Sequence, residues 1–233
     1  GGGSFASELN SVVGIGSGVL AGALASGAGA TVAIGTSALA ALTSGGNNTA
    51  IGYQAALANT VGERNTVLGY QALATNVDGD NNTAIGRHAL NAMEPGDGEG
   101  NNTAVGTWAG SGVSTATEVT VVGTLAGGDA TMTTDAKGTT AVGYKALAVL
   151  TSGISNVAIG SGSMAANATS DYNTAVGHGA LTTEDTGTRN TAFGYAALET
   201  LNYDGSGQNT AVGFNAGAAI NSGVKNTILG SEC

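Results

Sequence analysis

The chain is poor in almost everything that marks an ordinary globular domain. Charged residues make up 9% of its 233 residues and aromatic residues 4%, with one proline and one cysteine. A typical domain carries about 25% charged residues and fills its core with Leu, Phe and other large side chains. Only six Lys and Arg are scattered along the sequence, and the net charge is −10. That disfavours nucleic-acid binding, which needs clustered cations opposite phosphates, and docking to an anionic membrane, so neither nucleic acid nor membrane insertion is expected. The lone cysteine, Cys233, permits neither an intrachain disulfide nor a cysteine-based metal site. An apolar stretch from Ser11 to Ala30 has the hydropathy of a leader or membrane span. It lacks a basic flank and is rich in glycine, so it reads as the first repeat rather than an inserted segment.

What the chain does have is glycine, 41 residues of it, and a period. A phrase most often read as Asn-Thr-Ala-Ile/Val-Gly recurs thirteen times, closing at Gly16, Gly35, Gly52, Gly69, Gly86, Gly106, Gly123, Gly143, Gly160, Gly177, Gly194, Gly213 and Gly230. Eight of the twelve intervals are 17 residues, and the others are longer by two or three. A fixed period of this length means stacked coils, each of which buries its apolar side only against its neighbours. Residues 10–233 therefore read as one repeat domain of thirteen coils, with 1–9 as a connection to something upstream. At β-strand spacing the stack would be about 60 Å long.

We number each coil from its closing glycine. Position −1 is always apolar, −2 is mostly Ala, −3 mostly Thr and −4 mostly Asn. β-Branched residues at alternate positions mark a short strand whose two faces carry Thr and Ile/Val on one side and Asn, Ala and Gly on the other. Because Ile and Val are the larger residues, the expectation is that they fill the coil lumen while Ala and Gly face a partner. Three residues past the glycine comes Ala, often followed by Leu, which reads as a second short strand or turn closing the core. Seventeen residues are too few for a helix–strand unit and suit an all-β parallel β-roll or β-helix. The Asn column is expected to form a coil-to-coil ladder of hydrogen bonds.

The extra residues of the longer coils fall between the Ala-Leu segment and the next Asn-Thr. That zone is rich in Gly, Asp, Asn and Ser and holds most of the acidic residues, so it forms a row of exposed loops. Asp78, Asp80, Glu94, Asp97, Glu99 and Asp204 are the candidate contact residues there. A second candidate is the column just after the glycine, where Tyr53, Tyr70, Tyr144, Tyr195 and Phe214 form a half-exposed aromatic row able to meet a sugar. Asp78-Gly79-Asp80-Asn81 lacks the full twelve-residue calcium-loop pattern and reads as a turn. His88 and His178 stand five coils apart, about 24 Å at strand spacing, and read as partly exposed variants that share no proton relay. No convergent carboxylates, nucleophile or phosphate loop is present, so neither an enzymatic activity nor a cofactor is expected.

The phrases Asn-Thr-Ala-Ile-Gly-Tyr-Gln-Ala at 48–55, Asn-Thr-Val-Leu-Gly-Tyr-Gln-Ala-Leu at 65–73 and Asn-Thr-Ala-Phe-Gly-Tyr-Ala-Ala-Leu at 190–198 resemble the repeat arrays of bacteriophage tail-fibre and related surface proteins. They are also similar to the head repeats of trimeric autotransporter adhesins, whose consensus contains Ser-Val-Ala-Ile-Gly. The resemblance spans about residues 10 to 232. It implies an intertwined homotrimer and a structural or adhesive role, on a virion or alternatively on a bacterial surface. Partners would be further copies of the chain, neighbouring fibre proteins, and a host glycan or protein. The coil here is longer than the adhesin's, and Thr replaces Val at −3, which favours the fibre. Regularly stacked Thr also raises an ice-binding solenoid as a further alternative.

Overall fold

A computed structural model describes residues 11–94, 100–133, 136–184 and 186–233. The chain is an all-β parallel β-solenoid that divides into two compact units at the Glu118–Val119 bond. The first unit holds β1 (Val13–Ile15), β2 (Val32–Ile34), β3 (Thr49–Ile51), β4 (Thr66–Leu68), β5 (Thr83–Ile85) and β6 (Thr103–Val105). The second holds β7 (Thr120–Val122), β8 (Thr140–Val142), β9 (Val157–Ile159), β10 (Thr174–Val176), β11 (Thr191–Phe193), β12 (Thr210–Val212) and β13 (Thr227–Leu229). Within each unit consecutive strands pair in parallel and in strict column register, such as Thr49↔Thr66 and Ile51↔Leu68, or Thr174↔Thr191 and Val176↔Phe193.

Each strand is the three-residue Thr-Ala-Ile/Val phrase of one coil, and the closing glycine turns the chain. At Gly177 φ is +139°, and a Cβ there would overlap the carbonyl of Gly194 in the next coil. Both facts exclude a side chain, because the conformation suits only glycine and the coils touch backbone to backbone.

The expected orientation of the strands is reversed. Ala33, Ala50, Ala84, Ala104, Ala141, Ala158, Ala175, Ala192 and Ala211 are fully buried, whereas Thr at −3 and Ile or Val at −1 are half-exposed or exposed in every strand. The lumen is filled from the opposite wall by Leu39, Leu73, Leu90, Leu147, Leu181 and Leu198 at +4, and by Leu42, Met93, Leu150 and Leu201 at +7. Opposite them the strand residue is mostly Ala, although Val67 is buried in the same coil as Leu73. Elsewhere a larger strand residue lies against glycine: a Cβ at Gly127 would crowd Val121 of its own coil, and one at Gly217 would crowd Ile228 of the next. The Ala-Leu segment is a turn rather than a strand, and its Leu adopts a left-handed backbone conformation, for example φ 49° at Leu90 and 51° at Leu198. The coil-to-coil bonds Leu90 N–H to Ala109 C=O and Leu198 N–H to Ala216 C=O, each 3.0 Å, hold it there.

The buried Asn column works mainly through the backbone. In the second unit the side-chain oxygens of Asn156, Asn173, Asn190 and Asn209 accept the backbone N–H of the next Asn at 3.0, 2.7, 3.1 and 3.0 Å. The amide NH₂ of Asn173 donates to the Gly187 carbonyl at 2.8 Å, and that of Asn156 to the Ser170 carbonyl at 2.6 Å. Asn156, Asn173 and Asn209, whose NH₂ donates to the Gly223 carbonyl at 2.8 Å, thus each satisfy two backbone groups, whereas the Nδ2 of Asn190 is buried without a hydrogen-bond partner.

Candidate interaction surface

The outward residues of the strands form two adjoining rows. One is Thr, with Val at 13, 32 and 157. The other is Ile, Val or Leu, with Phe at 193. No charged residue occurs in either row, in a chain carrying −10. The most exposed members include Ile15, Leu68, Ile159, Phe193 and Leu229. Scattered exposed apolar residues need no explanation, but a contiguous uncharged strip repeated coil by coil marks a contact surface.

The aromatic column divides between the units. In the first, Tyr53 and Tyr70 stack at 5.2 Å, and Tyr70 meets the edge of His88 at 5.3 Å. His88 in turn stacks on Trp108 at 4.0 Å. In the second, His178, Tyr195 and Phe214 stack at 5.3 and 5.1 Å. Tyr144 belongs to neither stack and has the Lys145 ammonium over its ring at 5.9 Å. The stacked rings turn their faces towards one another, so solvent meets chiefly ring edges. A sugar that lies flat on aromatic faces finds few of them free.

His88 corrects a second expectation. It is 8% exposed, not a surface variant. Its place two residues past the glycine, shared with Trp108, was the available signal, because that column adjoins the buried Ala at +3. The Nδ1 atom is buried without a hydrogen-bond partner. Burial, and then the neighbouring Arg87 guanidinium, hold the imidazole pKa below its usual value. Arg87 itself lies over the Tyr70 and Trp108 rings at 6.0 and 5.4 Å. A depressed folded-state pKa means that the unfolded chain binds the proton more readily. His88 therefore leaves stability unaffected above about pH 6.5 and lowers it as pH falls below that value. Trp108 is the only tryptophan, so its emission should change with a midpoint below about 6.5. His88→Gln, which matches Gln54 and Gln71 of the same column, should abolish that transition. A midpoint at or above the ordinary histidine value would contradict the assignment.

The acidic candidates do not form one site. Asp80 is tied into the coil: its Oδ1 accepts the Glu63 N–H at 2.7 Å and its Oδ2 meets Arg64 at 3.0 Å. Asp171 holds the Ile154 N–H in the same way at 2.9 Å. Asp78 is half-buried and Glu94 exposed. Burial first, and then the charge of Asp78, push the Glu94 pKa up against a backbone hydrogen bond from Val77. Asp204 is exposed in the second unit. Asp97 and Glu99 lie outside the described residues. Among those described, no three His, Cys, Asp or Glu gather as metal ligands, and no helix is long and apolar enough to cross a membrane. Comparison of the chain with protein-family models, with curated proteins and with solved structures returned no match.

Proposed function

We propose that the chain is a structural segment of a homotrimeric viral fibre, in which the Thr/Ile-Val strip of each copy packs against the others. The observation that carries this reading is an exposed strip, free of charge, on a chain of net charge −10. Like-charged copies repel one another over the rest of their surfaces and can approach closely only there. The strip supplies the first and last residues of six strands in the first unit and of seven in the second, 12 and 14 residues. Each unit by itself thus offers about half of the roughly 20–30 residues that make one side of a standard protein interface. The resemblance of the repeat phrase to phage fibre arrays supports the viral setting and the threefold symmetry.

The mechanism is mechanical. In-register backbone ladders and buried Asn chains make each unit stiff along its coils, and burial of the strip between copies adds lateral stiffness. Such a segment holds a receptor-binding element away from its base. Host glycan or protein contact falls to the exposed Glu94 and Asp204, with the aromatic edges beside the strip.

Light scattering on the chain tests this reading. The expected mass is that of three 22.2 kDa chains, and Ile159→Asp, which buries an unpaired carboxylate in the strip, is expected to yield monomers. A stable wild-type monomer would overturn the fibre.

One observation favours a second reading. The threonines face outward in register instead of sharing the lumen, as an ice-binding array requires. A monomer that produces thermal hysteresis would establish it, and a monomer without hysteresis would leave neither reading standing.

A further inference from the structure

Position −1 of the strip is aliphatic in twelve coils and aromatic in one, Phe193. Its side chain projects from β11 between Val176 and Val212, which pair with it on either side. Phe193 is 55% exposed, among the most exposed apolar residues of the chain. It takes no part in either aromatic stack and meets no ring among those described. An isolated Phe offered to water in a row of Val and Ile has no role within one chain. Val, the usual residue of its neighbours, would serve the coil as well.

We infer that Phe193 sets the register in which copies of the chain meet. The inference rests on the homotrimeric reading and adds to it the direction and alignment of the copies. A rotation axis running along the strip of the second unit brings each of its −1 residues against its own counterparts at the same height. Under that symmetry the Phe193 side chains of all copies converge at one level, where rings pack on rings.

A chain displaced by one coil would set its Phe193 at the level of Val176 or Val212 of its neighbours. That crowds one level and leaves the other short of volume, and both faults destabilise close-packed surfaces. The rest of the row offers little discrimination. Ile, Leu and Val fill the other twelve places and differ by at most one methylene, the Thr row is nearly uniform, and the repeat brings like columns together again after a one-coil slip. A repetitive interface needs one irregular element to select a single alignment, as a lone polar residue does in a coiled coil.

The test uses the full chain with Cys233→Ser and a reporter, Ile159→Cys, in the −1 row two coils from Phe193. Chains with Phe193 or with Phe193→Val are refolded from denaturant, weighed by light scattering, oxidised, and resolved without reductant. With Phe193 present the reporter thiols stand at one level, and cross-linked pairs should predominate. With Phe193→Val the trimer mass should persist while the cross-linked yield falls about threefold, the scale of an aromatic–aromatic preference. Unchanged yield would remove Phe193 as the register residue. A trimer in which the reporter does not cross-link even with Phe193 would remove the parallel strip contact but keep the trimer. A monomer would overturn the homotrimeric reading itself.

Discussion

Gly177→Ala is expected to destabilise the second unit by about 4 kcal/mol, the sum of a strained backbone and an overpacked contact. The backbone there stands at φ +139°, and the new methyl would overlap the carbonyl of Gly194. Neither can relax alone, because Gly177 N–H is bonded to Ile159 C=O at 2.7 Å and Gly194 N–H to Val176 C=O at 2.8 Å. Moving one coil breaks the ladder to the next. Gly162→Ala is the matched control. Its φ is +67°, with nothing within 4 Å of a Cβ, and Gln54, Gln71 and His88 occupy the equivalent place in other coils with φ of 51–56°. A cost of about 1 kcal/mol is expected there. Urea denaturation of the two variants checks the difference. Equal losses would mean that close approach of coils contributes nothing and conformation alone selects glycine.

Asn173→Ala should cost about 3 kcal/mol, since orphaning a buried polar group costs about 1–3 kcal/mol. It strips the partner from Asn190 N–H and from the Gly187 carbonyl, and removes the donor to Ser170 Oγ at 2.9 Å. All of these lie within the coil wall, and Asn173 is fully buried. Tyr172→Asn, one residue earlier, changes an exposed side chain in a left-handed conformation that Asn adopts readily, at φ 58°. It loses only the Arg189 guanidinium over its ring at 5.6 Å and should stay within about 1 kcal/mol of wild type. Hydrogen exchange adds a local reading, with protection expected to fall first at the amides of Asn190 and its neighbours. A loss no larger than that of Tyr172→Asn would show that the Asn chain adds little beyond shape.

Much of this was legible in the sequence, for definite reasons. The period placed every strand, because β-branched residues at −3 and −1 select extended backbone and the glycine ends it. The interval lengths placed the loops, since only an unpaired segment can absorb two or three extra residues. Which face points inward was not legible from the strand. Alternation separates two faces but does not orient them when one is Ala and the other Ile, for both can be buried. The decision lies in the opposite wall, where Leu90 and its equivalents project into the lumen from a left-handed backbone that local pattern does not announce. The stack of His88 on Trp108 escaped for a related reason. The tyrosines occupy +1 and these two rings +2, so aligning on identity divides what the turn brings together.

The left-handed positions also give the coil something like a reading frame. Among the described non-glycine residues with positive φ there is no Val, Ile or Thr, although those three dominate the strands. β-Branched side chains are strongly disfavoured there. Each column therefore draws on its own share of the amino-acid alphabet: branched at −3 and −1, unbranched at −5, +2 and +4. Deleting a single residue between −5 and +4 would shift branched residues into left-handed places and bring a Cβ to the crowded glycine position. Only the segment between the +7 residue and the next −5 residue lies outside this frame. There the chain can gain or lose length, and there such a protein can change its outer surface while its columns stay in phase.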